Sequence, residues 1–349
     1  MAKSRPVFDG AKLALDGGVP VRTIPWPTYD NGAVCVDDND CFAASRVIKS
    51  KLLYRYDFRD IDDTEAGRLE NELAKFFNVK YSLAVSSGTT ALSLSMMACG
   101  IGVGDEVLCS SFGFPASPSS IILTGAKPVL VEVDENLHMD IDDVKKKINP
   151  LTKAILMIHM RGQAGDIEQV VQIAEENGIP LIEDAVPVLG LKIGDKHLGT
   201  FGIVGAFSTQ SDKSMNTGEG GFILTDDREI FERAIVLCGA YEGRLERHCK
   251  GWKSTINQYA LPLYNFRMDE IRAAVARTQL KKVPGRLNVM KENYARACSI
   301  IEASPQLRIR EPVWVILFYF RLMATMLTRR SGSPTHSTLR VSSADPSPI

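Results

Sequence analysis

Closely paired cysteines, a histidine cluster, an excess of either charge and a long uninterrupted apolar run are all missing from this chain. Each absence removes a class of protein. The seven cysteines, Cys35, Cys41, Cys99, Cys109, Cys238, Cys249 and Cys298, are odd in number and lack the spacing of a zinc site or a disulfide framework. They read as free thiols in a reducing cytoplasm. His138, His159, His197, His248 and His336 are scattered without ligand spacing, so no metal is expected. Lys and Arg total 41 against 42 Asp and Glu, a formal charge of -1, which disfavours a nucleic-acid surface. The one membrane-like run, 313–327, carries Arg321 and falls short of the roughly 20 apolar residues that span a bilayer. Residues 1–18 contain Lys3, Arg5 and Lys12 but no apolar signal-peptide core, so the sequence predicts a cytoplasmic protein without a membrane partner.

What is present is globular. The chain has 349 residues, 45% hydrophobic and 24% charged, enough for one large domain or two ordinary ones. From about Thr64, short β-branched or apolar runs alternate with segments of helical period, the pattern of an α/β fold with a mostly parallel sheet. Helices are expected over 37–51, 65–77, 90–98, 117–124, 141–148 and 167–176, with strands over 81–85, 106–109, 128–133, 154–159, 180–183, 204–208 and 222–225. Long helices follow at 228–237, 268–280 and 289–303. The reading divides the chain into an N-terminal arm and helix (1–63), a large α/β domain (64–245), a helical contact region that begins a small domain (246–312) and a tail (313–349).

Function in such sheets collects at the carboxyl ends of strands, and three stretches there carry chemistry. Ser86-Ser87-Gly88-Thr89-Thr90 joins a strand to a helix, where small residues let backbone N–H groups converge on an anion at the positive end of the helix dipole. The same sequence also suits a plain capped turn. Glu183-Asp184 closes an apolar strand; a buried carboxylate there needs a cation, whether a side chain, a metal or a protonated ring nitrogen, unless it simply caps a helix. The third stretch runs from Phe207 to Gly221. It sets Lys213 between a strand ending in hydroxyl residues and a glycine-dense turn that lets backbone approach a flat ligand. A lysine beside an anion site and a buried carboxylate is what Schiff-base chemistry with an aldehyde cofactor requires.

Ser87-Gly88-Thr89, the 102–107 stretch with Phe114, Gly125-Ala126-Lys127-Pro128 before Asp134, Glu183-Asp184-Ala185, Phe207-Ser208 with Lys213, Gly218-Glu219-Gly220-Gly221 and Asn265-Phe266-Arg267-Met268 occur in a shared order. In this the chain resembles the DegT/DnrJ/EryC1/StrS family of aminotransferases, over roughly residues 13–287. The resemblance implies a fold-type-I transferase dependent on pyridoxal 5'-phosphate, taking an amino group from glutamine or glutamate to a keto-sugar or keto-cyclitol. It implies that Lys213 condenses with the cofactor aldehyde and then relays a proton. Asp184 would pair with the pyridinium nitrogen, and Ser87, Gly88, Thr89 and Ser208 would hold the phosphate. Phe114 would stack on the ring, and Asn265 would complete the phosphate site of a neighbouring subunit, so a homodimer is expected. Residues 13–27 are closer to members acting on cyclitols and antibiotic precursors.

Two departures qualify the likeness. Pro187 stands where the family often has a glutamine near the cofactor's phenolic oxygen, and it cannot supply that hydrogen bond. Beyond Pro312 the pattern of a small closing domain gives way to an apolar, aromatic run and a Ser-rich end. A frameshift near Pro312 explains this, because codons permitted for Val313 onward, read two nucleotides later, can encode a strand-like run and an amphipathic helix. A genuine tail or a short hydrophobic anchor is the other reading. Gene sequence and intact mass separate them. Two other functions follow from these features: a catalytically impaired, cofactor-binding regulator or partner subunit, or a sugar dehydratase. Lys213 opposes the latter, since that branch of the family carries a histidine there.

Overall fold

The computed structural model describes residues 32–250 and 252–303. The expectations for residues 13–27 and for the tail lie outside them. In chain order the elements are α1 (Asp38–Ser50), α2 (Glu65–Phe77), β1 (Tyr81–Val85), α3 (Gly88–Ala98), β2 (Glu106–Ser110), α4 (Ala116–Leu123), β3 (Lys127–Val131) and α5 (Ile141–Lys147). They continue with β4 (Thr152–Ile158), α6 (Ile167–Glu176), β5 (Leu181–Asp184), β6 (Lys192–Ile193), β7 (Lys196–His197), β8 (Val204–Ser208), β9 (Gly221–Thr225), α7 (Arg228–Cys238), α8 (Arg244–His248) and α9 (Glu270–Glu302).

Local chemistry explains the boundaries. Helix α2 begins where the Thr64 hydroxyl accepts the Gly67 N–H, and it ends at Asn78 in the left-handed conformation, φ 55°. Leu69, Leu73 and Phe77, four residues apart, form its buried stripe. Each such side chain contributes about 1.5–3 kcal/mol by leaving water. Helix α6 is capped by Asp166 and buries Ile167, Val170, Ile173 and Ala174 in the same way.

Seven strands form one sheet in the order β1-β9-β8-β5-β4-β2-β3, and β6 and β7 make a separate two-stranded ribbon. Six of the seven strands run in one direction. Strand β9 alone is inverted, antiparallel to both β1 and β8. One face packs on α3, α4 and α7 through Leu83, Val107, Leu156, Ile182 and Ala206, while Phe207, Ala84 and Phe222 bury the other against α2 and α9.

The two helices expected over 268–280 and 289–303 are one. Helix α9 runs 33 residues straight through Pro284. A proline removes one helix hydrogen bond and crowds the preceding turn. Here Ala273, Ala276, Leu280, Val283 and Leu287 keep one buried stripe across it, so packing on α2 outweighs the local cost.

Candidate active site

The inverted strand is what gathers the three chemical stretches. Val85 pairs with Gly221 and Gly221 with Ser208, so the end of β1, the start of β9 and the end of β8 lie side by side. Asp184 pairs with Ala206, two residues before Ser208, and side chains two apart share a sheet face. Ser208 and Asp184 therefore point to the same side.

At the β1 end, Ser87 caps α3: its hydroxyl accepts the Thr90 N–H at 3.0 Å. The capped-turn reading thus holds for that hydroxyl, while the backbone keeps the anion-binding character. The N–H groups of Gly88 and Thr89 have no partner among the described residues, and they stand at the positive end of α3. Gly88 is needed for closeness, since a Cβ there would sit 2.6 Å from the Cβ of Ser208. Thr89 is exposed, and Ser208 is buried with its hydroxyl near the Gln210 N–H at 3.3 Å. Two free N–H groups and nearby hydroxyls form a donor set that fits a phosphate.

Asp184 is buried at the end of β5. One carboxylate oxygen accepts the Ser117 hydroxyl at 2.7 Å and the other the Val186 N–H at 3.3 Å. Burial pushes its pKa above the ordinary 3.8, opposed by those two bonds and by the charges of His159 and Lys213. Among the described residues no cation forms an ion pair with it. A buried carboxylate kept proton-prone in this way fits a ligand that brings its own cation, such as a protonated pyridine nitrogen.

Glu183, its neighbour in sequence, does different work. Alternation sends it to the opposite face, where His159 lies 2.7 Å away and the N–H groups of Gly199 and Gly202 donate at 2.8 and 2.6 Å. It is a buried structural anchor.

Lys213 is half-buried in the loop between β8 and β9. That loop is closed by Thr209 N–H to Gly220, Ser211 N–H to Gly218 and Thr217 N–H to Thr209, at 2.8–3.0 Å. Gly220, φ 154°, would place a Cβ 2.4 Å from the Thr209 hydroxyl. The Lys213 amine has no hydrogen-bond or ion-pair partner among the described residues, yet its charge is felt at Asp184. Phe114 is 71% exposed, and its carbonyl accepts the N–H of Ser117, the residue that binds Asp184. An exposed ring whose backbone is tied to the residue that binds Asp184 suits a flat ligand. Asn265 is also exposed, next to Phe266, whose carbonyl accepts the Ser86 N–H at 2.8 Å.

Sequence reasoning missed Ser117, a serine in the first turn of α4 with no feature to mark it. Tyr56 is buried, its hydroxyl 2.8 Å from His248 Nδ1. Pro187 lies in the short turn Val186–Val188 after Asp184.

Residues 59–332 match the DegT/DnrJ/EryC1/StrS aminotransferase family. The chain belongs to this family. Among curated relatives, GDP-perosamine synthase of Vibrio cholerae is 38% identical over 219 residues, 62% of this chain and 57% of that protein. L-glutamine:2-deoxy-scyllo-inosose aminotransferase of Streptomyces kanamyceticus is 32% identical over 293 residues, 82% of this chain and 67% of that one. The match thus spans little more than half the length of the first relative and two thirds of the second. Among solved structures, the E. coli GDP-4-keto-6-deoxy-D-mannose-3-dehydratase with bound hydrated PLP is 28% identical, with TM-score 0.70, covering 80% of this chain and 74% of that one. Family members of known structure therefore share the mostly parallel α/β architecture found here.

Proposed function

We propose that this protein is a pyridoxal-phosphate-dependent aminotransferase that moves an amino group from glutamine or glutamate to a keto-cyclitol or keto-sugar. The observation that carries this reading is the pairing of an unengaged amine, Lys213, with a buried carboxylate that lacks a cation, Asp184, beside two free helix-end N–H groups. When bound, the cofactor supplies an electron sink for the carbon that loses or gains the proton. Asp184 holds the ring nitrogen charged. Gly88 and Thr89 N–H, with the hydroxyls of Thr89 and Ser208, hold the phosphate, and the Ser87 cap keeps the end of α3 in place. Phe114 covers one ring face. Lys213 Nζ would hold the cofactor at its aldehyde carbon and, as a free amine, would move a proton at the substrate carbon.

Asn265, exposed beside Ser86, serves the phosphate site of a second copy, which makes the working unit a homodimer. The inosose aminotransferase relative supports glutamine as donor and a cyclitol acceptor, and the GDP-perosamine synthase relative supports a nucleotide-linked keto-sugar; our reading assigns the product to antibiotic assembly. We place the reaction in the cytoplasm.

Borohydride reduction of the cofactor-loaded protein tests the core of this reading. Peptide mass spectrometry should find the reduced cofactor on Lys213, and the Lys213→Ala variant should lose both that adduct and amino transfer to a panel of keto-cyclitols and nucleotide keto-sugars. An adduct on another residue, or none, refutes the assignment. Loss of water from the acceptor without consumption of the amino donor identifies a dehydratase, and loading without either reaction identifies an impaired binder.

A further inference from the structure

Strand β4 ends at Ile158, and the chain then turns through Met160–Gly162. Within that turn Arg161 has φ 58° and ψ 27°, left-handed backbone that residues with a Cβ adopt rarely. Its guanidinium lies over the Phe112 ring, 5.7 Å from the centroid. It makes no hydrogen bond or ion pair with any described residue, although it is half-buried. Among other buried or half-buried arginines, Arg55 is matched by Glu70, Arg59 by Asp57 and Arg277 by Glu65 and Glu72, while Arg267 and Arg286 donate to the carbonyls of Gly239 and Ser214. For Arg161, burial depresses the guanidinium and no carboxylate acts against it.

Its position is equally specific. The His159 N–H donates to the Asp184 carbonyl at 3.2 Å, which fixes this turn against the buried carboxylate. Phe112 follows the end of β2, two residues before Phe114. In the strand order, β5 separates β4 from β8, so the strand that leads into the Arg161 turn lies two strand spacings, about 10 Å, from the strand that ends in Ser208, with the strand that ends in Asp184 between them. Arg161 is therefore suited to an anion other than the one the cradle holds.

We infer that Arg161 anchors the carboxylate of the amino-acid donor, an assignment that rests on the aminotransferase reading. Every amino-acid donor carries a carboxylate on the carbon that bears the reacting amine, whereas a keto-cyclitol has no obligatory negative charge and a nucleotide-linked keto-sugar carries its diphosphate on a different carbon from the ketone. The planar guanidinium fork accepts a carboxylate through two parallel N–H bonds, a geometry a lysine does not reproduce. The Phe112 ring beneath holds the fork in orientation, and the left-handed backbone holds the side chain at the strand ends.

The test uses glutarate, a dicarboxylate that cannot donate an amine, titrated calorimetrically into the full-length protein with and without cofactor. Wild type should bind it, and Arg161→Gln should weaken that binding at least about 10-fold, the usual loss for a charged hydrogen-bond pair. Arg161→Lys should fall between the two; should the Gln variant fail to fold, a several-fold loss in the Lys variant carries the same conclusion. In turnover, the Gln variant should raise KM for the amino donor and leave KM for the keto acceptor and the borohydride adduct on Lys213 unchanged. The inference is overturned by glutarate affinity equal in wild type and variants, by no glutarate binding in wild type, by an effect confined to the acceptor's KM, or by loss of the cofactor from the variant. A wild-type protein that binds glutarate through Arg161 but consumes no donor would instead remove the aminotransferase reading.

Discussion

Replacing Ser117 with alanine isolates the environment of Asp184. The serine hydroxyl donates to one carboxylate oxygen at 2.7 Å, both residues are buried, and the other oxygen has only the longer contact from Val186. A hydrogen bond to a charged group contributes about 1.5–3 kcal/mol. Since the bond favours the ionised form, its loss raises the Asp184 pKa beyond the upward shift that burial already causes. The ionised form is the one that pairs with a protonated ring nitrogen, so cofactor affinity at neutral pH should fall by about 10- to 100-fold. The stability of the cofactor-free protein carries the opposite sign. A carboxyl group with a raised native pKa binds its proton more tightly in the folded state, so its contribution is complete below the unfolded value near 3.8 and declines as pH rises through the folded value. In Ser117→Ala that decline should extend to higher pH. Equilibrium dialysis of pyridoxal phosphate from pH 5 to 9, with urea unfolding of the cofactor-free protein over the same range, measures both effects. Ser95→Ala is the control, because the buried Ser95 hydroxyl bonds to Ala91 on its own helix and touches neither Asp184 nor the phosphate cradle. Equal cofactor affinity in wild type and Ser117→Ala at every pH, or an equal loss in Ser95→Ala, would refute the reasoning.

Two predictions concern stability. Arg55 and Glu70 form a buried pair with both Glu70 oxygens 2.8 Å from one guanidinium nitrogen, and the carboxylate outweighs burial to hold Arg55 above its ordinary pKa. Glu70→Gln leaves a buried charge uncompensated and should cost about 3–5 kcal/mol in urea unfolding; a loss below 1 kcal/mol would show that water reaches Arg55. Burial, helped by the charge of Lys192, pushes His197 down to about 4, where it packs against Phe76 and Phe77. A depressed native pKa means that the unfolded state takes up the proton first, so this contribution is present above pH 6.5 and lost as pH falls toward about 4. Comparing His197→Gln with wild type at pH 7.5 and 5 should show a smaller acid-induced loss in the variant, and identical pH dependence would place water at the imidazole.

Elements were legible where one local signal sufficed. The i, i+3 and i, i+4 spacing in 167–176, with Asp166 before it, gives helix α6 its bounds, and the apolar run 204–208 gives strand β8. The continuity of α9 was not, because Pro284 is a local breaker and the surface that overrides it, on α2, is over 200 residues away in sequence. The inversion of β9 was hidden for a related reason: residues 221–225 are apolar throughout, and no alternation tells which way such a strand runs. At the site, glycine, carboxylate and lysine chemistry marked Gly88, Asp184 and Lys213, and the family resemblance added Ser208. Ser117 and Arg161 carried no such mark, since their roles arise only when α4 and the turn after β4 are brought against β5.

Helix α9 explains how the loop bearing Lys213 keeps its shape. Arg286 donates to the Ser214 carbonyl and, at 2.7 Å, to the Gln279 side-chain oxygen, which also faces the Asn216 N–H at 3.4 Å. Gln279 and Lys282 then reach Asp40 of α1 at 2.8 and 2.7 Å. The two residues that touch the loop, Gln279 and Arg286, lie on opposite sides of Pro284 and nearly two turns apart on one helical face. A break at the proline would swing one of them away. The buried stripe that carries α9 through Pro284 therefore does more than fill the core: it sets the spacing of two side chains that hold residues 214–216, directly after the amine on which the proposed chemistry depends.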